Sequence, residues 1–310
     1  MRLIITGASG FIGRNLLLGI PKKWKVFAVY HHSRDFPDFL RQKKLRHVRP
    51  VRCDLTRPET VKRHKAFKGR FDACIFLAAN GDPTFSVEDP SCDLKMTTLT
   101  VTHFLSYVKV KKLIYVSSGA VYDGKQGRVS PKAPLNPRLP YAISHLAAES
   151  YVQSFCKLKK NPEEYLIIRF FGAYGPYEPS RKIYTRLVRE FENKNCRSFT
   201  IRGDGKNWID AMYVTDAVRA LLVALQSPLK HLTFDLCYGK PLTIESLVRK
   251  AASAFGQRGV KIQKKGSTYE PIHFRPSPHF QNKRLHFRPQ IPLKAGLRRF
   301  ADFLKKDATP

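Results

Sequence analysis

Short apolar runs recur along the first half of the chain, and stretches of helical periodicity lie between them. Leu3-Ile4-Ile5, Val26 to Tyr30, Val48 to Asp54, Phe71 to Asn80 and Lys112 to Val116 read as strands. Arg14 to Leu18, Pro58 to Lys68 and Lys95 to Val108 read as helices. Strand and helix alternate, which predicts an α/β architecture with a doubly wound parallel sheet and ligands at the carboxyl ends of its strands. Further on, Lys182 to Asn193 and Asp216 to Leu225 read as helices, and Ser198 to Ile201 and His231 to Cys237 as strands. Pro241 to Glu245 opens another helix with Thr243 as its N-cap. These later elements predict a smaller α/β lobe woven back into the first. The expected division is 1–170, rejoined by about 207–240, for the large sheet, and 171–206 with 241–310 for the small lobe.

The first strand runs into Thr6-Gly7-Ala8-Ser9-Gly10-Phe11-Ile12-Gly13 and then into a helix. Gly7 permits the tight turn, Gly10 lets the backbone approach a pyrophosphate, and Gly13 allows the helix to pack close to the strand. The helix N-terminus offers unpaired N–H groups to the anion. A dinucleotide site follows, with mere turn chemistry as the alternative. The second strand ends in His31-His32-Ser33-Arg34, without the carboxylate that accepts from the 2′-hydroxyl of NAD. His31 and Arg34 suit a 2′-phosphate, which favours NADP, while Asp35 keeps NAD open.

A second chemical cue follows the Pro-rich run Pro131 to Pro140. Tyr141 and His145 sit one turn apart at the start of a predicted helix and point at one spot. A phenol works as an acid or base near neutrality only if its pKa is drawn down from about 10. An ordinary amphipathic helix is the alternative for this segment alone.

Composition narrows the classes. The chain has 310 residues, 43% of them hydrophobic, enough for one large domain or two smaller ones. No apolar run approaches the roughly 20 residues of a membrane span, and Met1 leads straight into a strand with no signal peptide before it. A soluble cytoplasmic protein is expected. The six cysteines lie far apart without a C-x-x-C pair, which suggests neither a metal site nor a disulfide framework. Lys and Arg number 56 against 24 Asp and Glu, a formal charge of +32. This excess attracts polyanions and leaves nucleic acid open as a partner through charge alone. With no nucleic-acid motif and only modest clusters at Arg41 to Arg49, Lys62 to Arg70 and Arg249 to Lys265, it reads as a diffuse surface property.

In order along the chain stand Thr6 to Gly13, Asp54-Leu55, Leu77-Ala78-Ala79, Ser117-Ser118-Gly-Ala-Val-Tyr122 and Tyr141-x-x-x-His145. Arg169-Phe-Phe-Gly-Ala-Tyr-Gly-Pro176, Gly203-Asp-Gly205 and Asp210-Ala-Met-Tyr-Val-Thr-Asp216 follow. Together they resemble the extended short-chain dehydrogenase/reductases, the NAD-dependent epimerase/dehydratase family acting on nucleotide sugars. The resemblance covers nearly the whole chain and implies a Rossmann fold with a nucleotide-sugar substrate.

It also implies roles. Ser118 matches the hydroxyl that holds the reacting oxygen, and Tyr141 the acid/base that moves its proton. Gly7, Ser9, Gly10, Phe11, Ile12 and Gly13 match the phosphate turn, Asp54 and Leu55 the adenine contact. Leu77, Ala78, Ala79 and Ser117 line the cofactor, and Phe171 and Gly172 form the turn beside nicotinamide and sugar. Arg202 and Tyr213 are candidate substrate contacts, with packing as the alternative for Tyr213. A homodimer through helices of the large lobe is also implied.

Three departures stand out. His145 replaces the family's lysine, whose charge lowers the tyrosine pKa and whose amine holds the nicotinamide ribose. Gly172 stands where an asparagine is common, and Ile209 where an arginine meets the pyrophosphate. Arg181, Arg186, Arg202 and Arg275 are the candidate replacements. The reading is an NAD(P)-dependent epimerase/dehydratase-type oxidoreductase, catalytic through Ser118, Tyr141 and His145. A catalytically silent dinucleotide-binding protein and an RNA-associated relative are the alternatives. His273 to Pro278 is expected to be a loop that closes over substrate.

Overall fold

Leu3, Ile4 and Ile5 form the middle of strand β1 (Arg2–Thr6) and are completely buried. The computed structural model describes residues 1–193, 196–266 and 272–307, so parts of the predicted small lobe (194–195, 267–271 and 308–310) lie outside the described residues. The remaining strands of the main sheet are β2 (Lys25–Tyr30), β3 (Val48–Arg52), β4 (Arg70–Phe76), β5 (Lys109–Ser118), β6 (Glu164–Phe170) and β7 (Leu232–Leu236). They pair in parallel in the order β7-β6-β5-β4-β1-β2-β3. The order reverses at β1, so a crevice opens beyond its carboxyl end, where ligands of such sheets bind.

The pleat sends alternate residues to opposite faces. Leu3 and Ile5 meet Leu16, Leu17 and Leu221 of helices α1 (Phe11–Gly19) and, later in the chain, Val214–Gln226. Ile4 meets Val101 and Phe104 of α2 (Thr100–Tyr107) and Val152 of α3 (Pro140–Lys159). Both faces are therefore covered by helices, as the alternation in sequence requires. A third core joins α4 (Ile183–Glu192), α5 (Ile244–Ala254) and α6 (Leu293–Asp307) through Leu187, Leu247 and Phe300. Thr243 caps α5 by accepting from the Ser246 amide at 3.2 Å. Among the described residues no helix is long and apolar enough to cross a membrane.

Several elements differ from the sequence expectation. β4 ends at Phe76 instead of Asn80, because the Thr6 hydroxyl captures the amides of Leu77 and Ala78 at 3.1 and 3.2 Å and turns the chain out of the sheet. The helix expected over Lys95 to Val108 begins with a wide π-helical turn, Lys95–Leu99, before α2. This turn faces both Thr97 and Thr98 inward. Thr97 accepts from the Asn80 amide at 3.2 Å, and Thr98 donates to the Ser144 carbonyl at 2.8 Å. His273–Arg275 is not a free loop over the substrate: it forms a short strand parallel to Gln126–Arg128. Phe274 anchors it against Tyr122 and Phe171, at ring separations of 5.9 and 6.2 Å.

Candidate active site

The turn after β1 is closed by sterics. A Cβ on Gly7, whose φ is +64°, would lie 2.9 Å from the Leu77 backbone, and one on Gly13 would lie 2.5 Å from the Gly7 carbonyl. Neither position admits a side chain without moving backbone. The result is a bare peptide surface leading to the first turn of α1, where no side chain caps Phe11, Ile12 or Gly13. Such a surface fits the diphosphate of a dinucleotide.

Gly7, Gly10, Phe11, Ile12 and Gly13 line one side of a cleft of about 510 Å3. Leu77, Ala79 and Ser117 line its floor, and Ser118, Tyr141, His145, Phe171 and Gly172 its far wall. The structure thus brings together most residues singled out in sequence. Ala78 stands beside the cleft, its amide held by Thr6. The Ser117 hydroxyl turns away from the cleft and donates to Glu149 at 2.6 Å, and Glu149 is paired to Arg169 at 2.8 Å. Arg169 in turn donates to the Tyr122 hydroxyl at 3.0 Å, which donates to Asp235 at 2.8 Å.

Pro140 starts α3 at a position where a missing N–H costs nothing, and the Tyr141 amide donates to Ser86 at 3.1 Å. Tyr141 is hydrogen-bonded to Ser118, which is held in place as it accepts from the Ala120 amide at 3.1 Å. The His145 ring lies 4.6 Å from the Tyr141 ring. It is 3% exposed, and among the described residues neither ring nitrogen has a hydrogen-bond partner. Burial pushes its pKa down to about 4, so the imidazole is neutral at pH 7. Burial raises the Tyr141 pKa, and Asp93 and Asp82 raise it further against the effect of the Ser118 hydrogen bond. The pair therefore lacks the cation that would favour a tyrosinate. Asp93 is itself fully buried, accepting from Ser144 at 2.6 Å and Asn80 at 2.7 Å.

At the end of β2, His31 approaches Asp54 at 3.7 Å, and Asp54 accepts from the Thr56 amide and hydroxyl at 3.0 and 2.7 Å. Leu55 is buried behind it. The Ser9 and Ser33 hydroxyls meet at 2.9 Å and tie the turn to the end of β2, while Arg34 is exposed. Asp35 is ion-paired with Arg14 at 2.6 Å. Arg14 escaped the sequence reading, although its place one turn beyond Gly10 directs it at this corner. Its guanidinium also lies 4.8 Å from the Phe39 ring.

Arg181 and Lys182 also line the cleft. Arg181 pairs with Asp82 at 3.3 Å, and Lys182 donates to the Gly81 carbonyl at 3.0 Å. The other candidate arginines point elsewhere. Arg186 donates to the Thr200 carbonyl at 2.9 Å, Arg275 stacks 4.8 Å over Trp208, and Arg202 is exposed at the end of the strand Ser198–Arg202. Tyr213 is 5% exposed and packs edge-on against Tyr174 at 5.6 Å, outside the cleft lining. Glu178, also missed in sequence, lines the cleft, and burial raises its pKa to about 7 against hydrogen bonds from Thr185. No short motif announces Glu178, since its position depends on the turn after Gly175.

Sheet order, glycine turn and cleft define a dinucleotide-binding doubly wound fold. A profile of the NAD dependent epimerase/dehydratase family matches residues 3–235, and the chain belongs to that family. An uncharacterized UDP-glucose epimerase of Bacillus subtilis is 24% identical, covering 96% of each chain. The crystal structure of UDP-glucose 4-epimerase from Thermotoga maritima with UDP-glucose is similar at a TM-score of 0.86 and 21% identity, covering 99% of both chains. The dTDP-glucose 4,6-dehydratase DesIV of Streptomyces venezuelae, with NAD and TYD bound, has a TM-score of 0.87 and 21% identity, covering 99% of this chain and 98% of that one.

Proposed function

We propose that the protein is an NAD(P)-dependent oxidoreductase of the epimerase/dehydratase type that acts on a nucleotide-activated sugar. The observation that carries this reading is the hydrogen-bonded Ser118–Tyr141 pair facing the same cleft as the glycine turn. A nicotinamide bound there supplies a hydride acceptor or donor. Tyr141 moves the proton at the sugar hydroxyl and Ser118 orients that oxygen. Gly7, Gly10 and the first turn of α1 hold the diphosphate. The two unpartnered nitrogens of His145 offer a donor and an acceptor to the nicotinamide ribose, as a ring buried without partners would require. Arg181 and Lys182 would take the sugar-nucleotide phosphates in place of the arginine that Ile209 replaces. A two-part division, 1–170 with 207–240 and 171–206 with 241–310, separates these cofactor and substrate roles; the third core supports it by joining 171–206 to 241–310, although Ala211 and Tyr213 also enter that core.

NADP is the favoured cofactor. Asp35 is engaged by Arg14, while His31 and Arg34 remain near the end of β2, an arrangement suited to a phosphate on the ribose. The free thiols of the described cysteines fit a reducing compartment such as the cytoplasm. Mass spectrometry of co-purifying small molecules, followed by turnover on nucleotide sugars, tests the reading. A pyridine nucleotide and interconversion of a UDP- or dTDP-sugar are expected; absence of any nucleotide binding would overturn it.

His145→Lys provides a sharper check on the site. An ammonium there should lower the Tyr141 pKa by about 1–3 units, read as tyrosinate absorbance on pH titration against Tyr141→Phe, and should raise turnover. An unchanged titration would show that position 145 does not act on the phenol.

A further inference from the structure

We propose that the amino end of the sheet, opposite the cleft, binds single-stranded nucleic acid, with phosphates on its lysines and a base against Tyr107. In a parallel sheet every strand starts at the same end, so residues far apart in sequence converge there. Each strand from β2 to β7 begins beside an exposed cation: Lys23, Lys44, Arg70, Lys109, Lys160 and Lys230 in turn. Seven strands at about 4.8 Å spacing make a row roughly 30 Å long. The carboxylates at this end are few. Glu163 pairs with Arg70 at 2.7 Å, Glu164 with Lys230 at 3.4 Å, and Asp72 accepts from the Arg2 amide at 2.6 Å. Arg70 and Lys230 are thus ion-paired, and exposed Lys23, Lys44, Lys109 and Lys160 carry the positive charge of this end.

The face also has shape. Between the starts of β4, β5 and β6 lies a cavity of about 450 Å3 lined by Lys68, Lys109, Lys160 and Tyr107. Tyr107 is 41% exposed. Cations beside an open aromatic ring in a concave site are what a single strand with splayed bases uses. A bilayer, which is flat, cannot reach into such a cavity, and a duplex keeps its bases stacked inside. The cavity lies at the opposite end of the sheet from the dinucleotide cleft, so both sites are available at once.

Fluorescence anisotropy with a labelled single strand of about 20 nucleotides, long enough to span one such site, tests this. Wild-type protein should bind at about 0.15 M salt. Combined Lys68→Gln, Lys109→Gln and Lys160→Gln should weaken binding and reduce the slope of log affinity against log salt by about 2, at about 0.7 per lost phosphate contact. Tyr107→Leu should weaken binding roughly tenfold with the slope unchanged. The charge-matched control, Arg249→Gln, Lys250→Gln and Lys294→Gln on the small lobe, should keep wild-type affinity and slope, with thermal melts showing that all variants are folded. Equal losses in both triple variants would overturn the proposal. So would complete loss of wild-type binding by about 0.15 M salt, or tighter binding to duplex or to phosphatidylserine vesicles than to the single strand.

Discussion

Tyr141→Phe is expected to lower kcat on a nucleotide-sugar substrate by about a hundred- to ten-thousandfold, the usual contribution of a positioned acid/base. The variant keeps the ring that fills the space beside His145 and loses only the hydroxyl bonded to Ser118. Cofactor affinity, measured by fluorescence titration, should therefore stay near wild type while turnover collapses. The pH dependence sharpens the test. Burial and the nearby carboxylates keep the phenol protonated well above neutral pH, so the wild-type enzyme is poised to donate a proton, and abstraction should become faster as pH rises. Full activity in Tyr141→Phe would mean that another group moves the proton.

Arg169→Leu should cost about 3–5 kcal/mol of folding stability, the range for breaking a buried ion pair from one side. Arg169 is 5% exposed and grips Glu149, 3% exposed, through both carboxylate oxygens. Without the guanidinium, Glu149 is a buried charge with, among the described residues, only the Ser117 hydroxyl to satisfy it. Urea unfolding at pH 7 measures the loss. Arg169→Leu with Glu149→Leu should recover part of it, since Glu149 is then no longer left as an unpaired buried charge; a double variant no more stable than the single one would place the cost in the Tyr122–Asp235 contacts instead.

The glycine turn was legible because sterics dictate its residue types: the space at Gly7 and Gly13 admits no Cβ. The sheet was legible because alternating elements force a parallel arrangement, and Tyr141, Ser118 and His145 because they fall at strand and helix ends. What sequence could not supply is convergence across the chain. Arg14 meets Asp35, and Lys182 reaches Gly81, through folding rather than through local spacing. Leu166, Ile167 and Ile168 of β6 are fully buried, but this short apolar run leads straight into the motif beginning at Arg169, with no turn signal between them to set it apart. Arg202 and Tyr213 stand beside motifs in the sequence, yet Arg202 is exposed at the end of its strand and Tyr213 packs into the small-lobe core.

The π-helical turn at Lys95–Leu99 has a mechanical consequence. In an ordinary α-helix two neighbouring residues are separated by about 100° of rotation, so only one of them faces squarely inward. The wider turn lets Thr97 grip the loop that follows β4 while Thr98 grips the helix carrying Tyr141. The segment thus acts as a cross-brace between the loop after β4 and the helix that carries Tyr141, and removing a single residue from it would release one of the two attachments.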